Sequence, residues 1–557
     1  MTAEARTPSA IDDVAERWVD TLVELSPVLA TYIGRNEANG RLDDVSPEGH
    51  DRSVAAARVA LADLDALQPV DGIDEVTKAD LSAELRLQIE LHDAQWHLRD
   101  LNVIASAPQD FRQAFDLMPT SQVEDWAVIS ERLAAVPAAL RGYVQSLREG
   151  IRSGVVPARR QVREVATQIA RYSADDGFFA TFAAEAAPDE GQLPASLARD
   201  LSDRAGAARV AYDELRSFLI GELAPAASEE DAVGRDLYAL NSRRFLGATI
   251  DLDETYEWGR EELARMIDEQ GAIADEILPG ATVEEAVAHL EADSSRKLHG
   301  TEALQKWMQE TSDRAIAELG ASHFDIPQEI RALECMIAPT QEGGIYYTGP
   351  TDDFSRPGRM WWSVPEGVTE FDTWRELTTV YHEGVPGHHL QIAQATYNRA
   401  ELNTWRRVLA GTSGHAEGWA LYAERLMEQL GYLDDPADRL GMLDGQRLRA
   451  LRVVLDIGVH LRKPRLDGQG VWDHDYALEM MRRNVNMSDE FRQFEVNRYL
   501  GWPGQAPSYK VGQRIWEQVR DGVREREGEA FSFKDFHKRA LDIGGVGLDT
   551  LRAVLLG

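Results

Sequence analysis

From residue 11 to about residue 240, Leu, Val, Ala and Ile recur at three- and four-residue spacing, the period of helices with one buried face. The spacing predicts helices over 11–33, 52–67, 76–100, 123–153 and 193–223, punctuated by turns at Pro27, Pro69, Pro108, Pro119, Pro157 and Pro188. A second helical block follows over 252–319. Within it Tyr256, Leu263, Ile267 and Ile273 supply the apolar stripe of a helix over 255–277, and Asp251 and Asp253 read as helix-start residues. The character changes near Met336. Residues 343–349 and 359–364 are short, aromatic and bounded by Gly and Pro, which predicts a small antiparallel sheet within about 336–365. An edge of such a sheet could hold an extended peptide through main-chain hydrogen bonds. Helical periodicity then resumes around His382, over 411–426, over 447–461 and over 531–555, whereas 498–512 is rich enough in Gly, Pro and aromatics to predict a loop. The fold class expected is mainly α, with an N-terminal helical lobe over 1–250 and a second lobe over 251–557 that carries the sheet. A chain of 557 residues exceeds the size at which one core stops growing.

Composition narrows the functions. There are 59 Lys and Arg against 95 Asp and Glu, a net charge of −36. A field of that sign repels phosphate backbones and anionic lipid, which argues against nucleic-acid or membrane-surface work. The single cysteine, Cys335, excludes an intramolecular disulfide framework and, flanked by apolar residues, reads as a buried thiol. The first ten residues lack the apolar core of a secretory signal, and no stretch approaches the roughly 18 apolar residues of a membrane span, so a cytoplasmic protein is expected. His92 and His97 have no acidic companion at ligand spacing and read as packing residues.

The chemistry concentrates in His382-Glu-Gly-Val-Pro-Gly-His-His-Leu-Gln391. His382-Glu383 opens the pattern H-E-x-x-H, in which two histidines four apart on one helix face bind zinc and the Glu is general base. The fifth position here is Pro386. On an unbroken helix His388 would lie about 120° around and roughly 9 Å along from His382, and His389 roughly 10.5 Å away. Neither could share a metal with His382, because zinc–nitrogen bonds of about 2.0–2.1 Å need donors within roughly 4 Å of one another. Pro386 and Gly387 supply the remedy, since Pro excludes a continuing helix and Gly admits backbone angles closed to other residues. A break of two residues brings His388 to the position of the second ligand. A third ligand is expected from the helix entered through Ser413-Gly414, where Glu417 lies in the first turn beside small residues. Glu424, seven residues on, suits an ion-pair partner or an acceptor for a ligand's imidazole N–H, against the plainer reading of a solvated helix face.

These residues resemble a known family. The run from His382 to Gln391, followed by Glu417-Gly-Trp-Ala-Leu-Tyr-Ala-Glu424, resembles the signature of the bacterial family called domain of unknown function 885. That family is in turn similar to the carboxypeptidase Taq type of zinc metallocarboxypeptidase. The resemblance implies a helical, zincin-like metallopeptidase fold with His382, His388 and Glu417 as zinc ligands, and Pro507-Ser-Tyr-Lys-Val-Gly512 resembles a further segment that places Tyr509 at the oxyanion. The insertion containing Pro386 leaves the choice between His388 and His389 open.

The function expected is zinc-dependent hydrolysis of peptide bonds in short peptides, carboxypeptidase-like, with manganese or cobalt compatible with the same ligands. Glu383 would move the proton between water and leaving amine. Arg356 and Arg498 are candidates for a substrate carboxylate. On 447–461, Arg452, Asp456 and His460 share one line of an apolar helix and need partners. A structural network fits Arg452 and Asp456, and His460 is a candidate proton donor. A homodimer is compatible with the chain. Two other classes remain: a serine hydrolase, because Gly411-Thr-Ser-Gly-His415 resembles G-x-S-x-G with the second Gly one place early, and a metal-free helical binding protein.

Overall fold

The computed structural model describes residues 6–339 and 344–557. Helices dominate, and the predicted helical blocks are present with local interruptions. The stretch 11–33 divides at Ser26 into Ala10–Leu25 and Pro27–Tyr32, because Pro27 lacks the N–H to continue the ladder while Ser26 accepts from the Leu29 N–H. Val123–Ser153 is one helix despite Pro137. In Leu252–Ile277, Asp251 caps by accepting from the Asp253 and Glu254 N–H groups. Asp253 instead pairs with Arg235 and Lys463, and Ile267, assigned to the buried stripe, is 39% exposed.

Buried apolar residues divide along the chain. One cluster gathers side chains from Val28 to Ala227, and a larger one gathers side chains from Tyr238 to Leu555. A smaller cluster packs Ile11, Trp18 and Leu85 against Trp405 of the second half. Between the N-terminal helices and the second half lies a cavity of about 810 Å³, bordered by His50, Glu84, Trp96, Asp110, Thr412 and Trp502. None of the described helices is long and apolar enough to cross a membrane.

The small sheet has three strands. Ile345–Thr348 pairs antiparallel with Gly358–Trp362, as the aromatic pattern predicts, and Gly343 of the predicted first strand lies outside the described residues. The third strand, Leu333–Ile337, runs parallel to Gly358–Trp362 on its other side. It was not legible as a strand, because its partner lies 25 residues on and no hairpin turn announces it. Its outer edge is occupied: Gln305 and Gln309 of the helix Thr301–Ser322 donate to the Cys335 and Leu333 carbonyls, and Gln309 accepts from the Cys335 N–H. Cys335 is buried, and burial pushes its thiol up to about 11. A second, two-stranded antiparallel sheet joins Lys297–His299 to Glu370–Asp372 and leads directly into the helix Thr373–Glu383.

The predicted loop over 498–512 is shorter than expected. Arg498 belongs to the helix Asp489–Gly501, and Ser508 already opens the helix Ser508–Glu527. This second helix packs backbone to backbone on Ser413–Gln429: a Cβ on Gly418 would lie 2.4 Å from the Gly512 carbonyl carbon and 2.6 Å from its Cα. Gly418→Ala is therefore expected to destabilise by about 1–3 kcal/mol, seen as a lower urea midpoint. Gly271→Ala, on a helix with nothing near the added methyl, is expected to raise the midpoint slightly, by about 0.5–1 kcal/mol.

Candidate functional site

The helix Thr373–Glu383 stops one residue after His382, and a new helix, His388–Tyr397, starts after a four-residue break. The break is held by its own backbone. Gly384 N–H donates to the Val380 carbonyl, Gly387 N–H to Tyr381 and His389 N–H to Gly384. Gly387 is required, since a Cβ there would lie 1.8 Å from the His382 carbonyl oxygen. From outside, the Trp419 indole N–H donates to the Pro386 carbonyl at 2.8 Å, tying the break to the helix that carries Glu417.

The result is a buried cluster. His382, Glu383 and His388 each place a ligand-type atom within 4.8 Å of the others. Glu417 Oε2 lies 3.3 Å from His382 Nε2 and 3.6 Å from His388 Nε2, and the two imidazole rings meet edge to face, centroids 4.8 Å apart. Two donors bonded to one tetrahedral zinc at about 2.0–2.1 Å lie roughly 3.4 Å apart, and Glu417 Oε2 stands at about that separation from each of the two imidazole nitrogens. His389 turns the other way: its Nδ1 meets the Tyr347 hydroxyl at 2.9 Å and its Nε2 the Ile330 carbonyl at 2.7 Å, and burial draws its pKa down to about 4. It pins the new helix to the small sheet.

Electrostatics reinforce the grouping. Burial disfavours charge on His382, yet its hydrogen bonds to Glu417 and Glu424 prevail and raise it to about 10. Glu417 resists desolvation because both imidazoles face it, and its carboxyl is held well below the ordinary range. Burial pushes Glu383 up, partly offset by His388 and His382, and one of its oxygens has no hydrogen-bond partner among the described residues. His388 Nδ1 likewise has none. Glu424, buried, accepts from His382 Nδ1 at 2.7 Å, so of its sequence readings the acceptor for an imidazole N–H describes where it sits.

Other candidates distribute unevenly. For Tyr509, burial and the Glu417 charge raise the hydroxyl to about 12, and Arg452 lies over its ring at 5.0 Å. Arg356 is spent locally, donating to the Gly349 and Pro357 carbonyls of its own turn. Arg498 forks onto both oxygens of Glu495 at 2.9 Å and onto Gln505. Arg452 donates to Glu495 and to the Tyr499 hydroxyl. Asp456 accepts from the Tyr238 hydroxyl and Gly504 N–H. His460 is not brought to the cluster: it lies 11 residues beyond Arg449 on the helix Pro436–His460, roughly 16 Å along the axis, and its Nε2 meets the Tyr499 carbonyl. Ser413 Oγ meets Ser508 Oγ at 2.8 Å, while His415 Nδ1 faces Gln391, so no Ser–His pair forms.

Residues 27–555 match a family described as a bacterial protein of unknown function, DUF885. The chain belongs to this family. No curated protein matches this DUF885 chain. It is similar to the crystal structure of a candidate lipoprotein from Colwellia psychrerythraea, at 21% identity and a TM-score of 0.84 over 98% of this chain and 99% of that one. It is also similar to a candidate lipoprotein of unknown function from Shewanella oneidensis, at 17% identity and a TM-score of 0.76 over 99% and 100% of the two chains. These likenesses establish the fold across the whole DUF885 chain.

Three residues at the site escaped the sequence. Arg449 projects its charge on Glu383, Glu424 and Tyr509, and among the described residues its buried Nε has no partner. Gln446 donates to Glu424 and in turn accepts from Lys510. Arg449 lies in a helix read from its periodicity, Gln446 just before that helix as it was read, and Lys510 in a stretch predicted to be a loop, and nothing local distinguishes any of them from packing residues.

Glu495, 4% exposed, holds this region together. Burial opposes its charge, but Arg452 and Arg498 depress it from 4.5 to about 2. Its stabilisation is complete above about pH 4.5 and lost as pH falls toward about 2, on the order of 3 kcal/mol. Glu495→Gln is expected to cost about 3–5 kcal/mol near neutrality, and the gap in urea midpoint between the two proteins should narrow from pH 5 to pH 3.

Proposed function

We propose that the protein is a divalent-metal-dependent hydrolase of peptide bonds in short peptides, an exopeptidase of the carboxypeptidase type. The observation that carries the reading is the placement of Glu417 Oε2 at 3.3 and 3.6 Å from the two Nε2 atoms. His382, His388 and Glu417 would hold the ion, a nitrogen and oxygen set suited to zinc and compatible with manganese or cobalt. An ion held there would supply Lewis acidity toward a substrate carbonyl and toward water.

The protein's own groups divide the remaining work. Glu383 is buried, raised in pKa and has one oxygen without a hydrogen-bond partner among the described residues, which suits a base that takes a proton from attacking water and returns it to the leaving amine. Tyr509 keeps its proton, with a pKa of about 12, and donates a hydrogen bond to the oxyanion. Arg449 receives the substrate carboxylate. Arg356 and Arg498, the sequence candidates for that role, have their donors committed within the protein, whereas the Arg449 guanidinium has no ion pair among the described residues. The cavity of about 810 Å³ is not lined by the cluster, but it borders Thr412, which caps the Glu417 helix.

Metal analysis of the purified chain should give about one ion per chain, and chelation should abolish cleavage of a dipeptide and tripeptide library. Glu417→Gln is expected to lose the ion. Glu383→Gln is expected to keep it while kcat falls by about 10²–10⁴, and Ser413→Ala to keep activity. A chain with no stoichiometric metal and no chelator effect would be a binding protein on this scaffold. Arg449→Ala should raise KM at least tenfold for peptides with a free C-terminus, and wild type should cleave C-terminally amidated peptides poorly. Equal cleavage of both would remove the carboxypeptidase assignment.

A further inference from the structure

Lys510 sits in the first turn of Ser508–Glu527, 1% exposed, next to Tyr509. Its Nζ donates to Gln446 Oε1 at 2.6 Å and to Gln513 Oε1 at 2.9 Å, and pairs with Glu262 Oε1 at 3.0 Å. An ammonium has three donors and no acceptor, and it meets three acceptors here. Glu262 is itself fixed by a fork from Arg265, at 2.8 and 2.7 Å.

The consequence passes to Gln446, which is fully buried. With its carbonyl oxygen claimed by the ammonium, its NH₂ must face the other way, and it donates to Glu424 Oε2 at 2.9 Å. Glu424 is 2% exposed, and its remaining oxygen is 2.7 Å from His382 Nδ1. A carboxylate only accepts, so Nδ1 carries a proton. In the neutral ring the lone pair available for a cation is then on Nε2, the atom that lies 3.3 Å from Glu417 Oε2.

We propose that Lys510 is a positioning residue: acting through Gln446 and Glu424, it holds His382 with its proton on Nδ1 and its Nε2 directed into the cluster. Hydrogen-bond polarity decides this, since each group in the chain has one orientation compatible with a donor-only neighbour at the far end. Without the ammonium, the buried Gln446 carbonyl oxygen loses its charged donor and the carboxamide is held from the Glu424 side alone, which loosens the carboxylate and, through it, the hold on the imidazole. The effect on metal binding rests on the function proposed above, and the orientation of His382 does not.

The test therefore has two arms, both on the full chain. In metal-free protein labelled with ¹⁵N-histidine, with the signal assigned by its loss in His382→Gln, wild type should show an Nδ1–H proton protected from solvent exchange. Lys510→Met should lose that protection while retaining the circular dichroism of wild type. An Nδ1 without a proton in wild type, or unchanged protection in Lys510→Met, overturns the proposal whether or not the protein binds metal. In the second arm, zinc affinity is measured by competition with a chromophoric chelator. Lys510→Met and Gln446→Leu should each weaken binding about 10–100-fold, and the double variant should be no weaker than the worse single one; additive losses overturn the relay. Gln446→Glu, which keeps an acceptor for Lys510 but sets two carboxylates face to face, is expected to weaken zinc to a similar degree and serves if Lys510→Met does not fold. Wild type that binds no zinc but shows the protected proton would sink the function proposed above and leave the relay standing.

Discussion

The second half of the protein depends on how one helix is stopped and another started within four residues. Between Glu383 and His388 the backbone loses its helical ladder, and the carbonyls left behind need donors. The Trp419 indole meets the Pro386 carbonyl, and Trp419 stands two residues after Glu417 on the neighbouring helix. This hydrogen bond adds to the backbone bonds of the break itself and ties the two imidazoles to the helix that carries the carboxylate opposite them. Gly387 and Gly418 act on the same geometry. The first lets the chain fold back against the His382 carbonyl, and the second lets the Glu417 helix approach the helix of Tyr509 and Lys510 at backbone contact.

Around that joint the protein keeps two kinds of buried charge. Arg452, Glu495 and Arg498 satisfy one another through short hydrogen bonds and a shared carboxylate, so their charges are fixed and inert. The His382 cluster is different: several of its nitrogens and oxygens have no partner among the described residues, and its charges are balanced only by the proximity of carboxylate to imidazole. A buried polar group without a partner is costly, and such groups gathered at ligand separations are the usual mark of a site that binds something. The contrast also separates arginines that look alike in sequence. Arg498 and Arg356 are held by the protein, whereas Arg449, whose charge acts on Glu383 and Glu424, has no ion pair among the described residues.

The small sheet and the N-terminal helices supply the setting. Tyr347 and the Ile330 carbonyl take both nitrogens of His389, which fixes the register of the new helix and therefore the direction of His388. A continuous helix would give these adjacent histidines directions about 100° apart, and here one is anchored to the sheet while the other joins the cluster. The N-terminal half contributes Trp18 and its neighbours against Trp405, and a cavity at the junction of the halves.

Much of this was written locally. Helical periodicity is a short-range signal, so Val123–Ser153 and the helix beginning at Leu252 could be read from the spacing of their apolar residues, and the proline and glycine after His382-Glu383 announced the interruption because their backbone preferences are intrinsic. His382, Glu383 and Glu417 could be singled out as candidates from local signals too, the first two from the opening of H-E-x-x-H and the third from its place in a first helical turn beside small residues. What the tertiary structure decided are the contacts made across long separations. The parallel strand Leu333–Ile337, the division of roles between His388 and His389, the commitment of Arg356 and Arg498, and the alignment of Lys510 with Gln446 and Glu424 all depend on partners that arrive from elsewhere in the chain. A side chain's type fixes what it can donate or accept, but only the fold decides which neighbour is there to receive it.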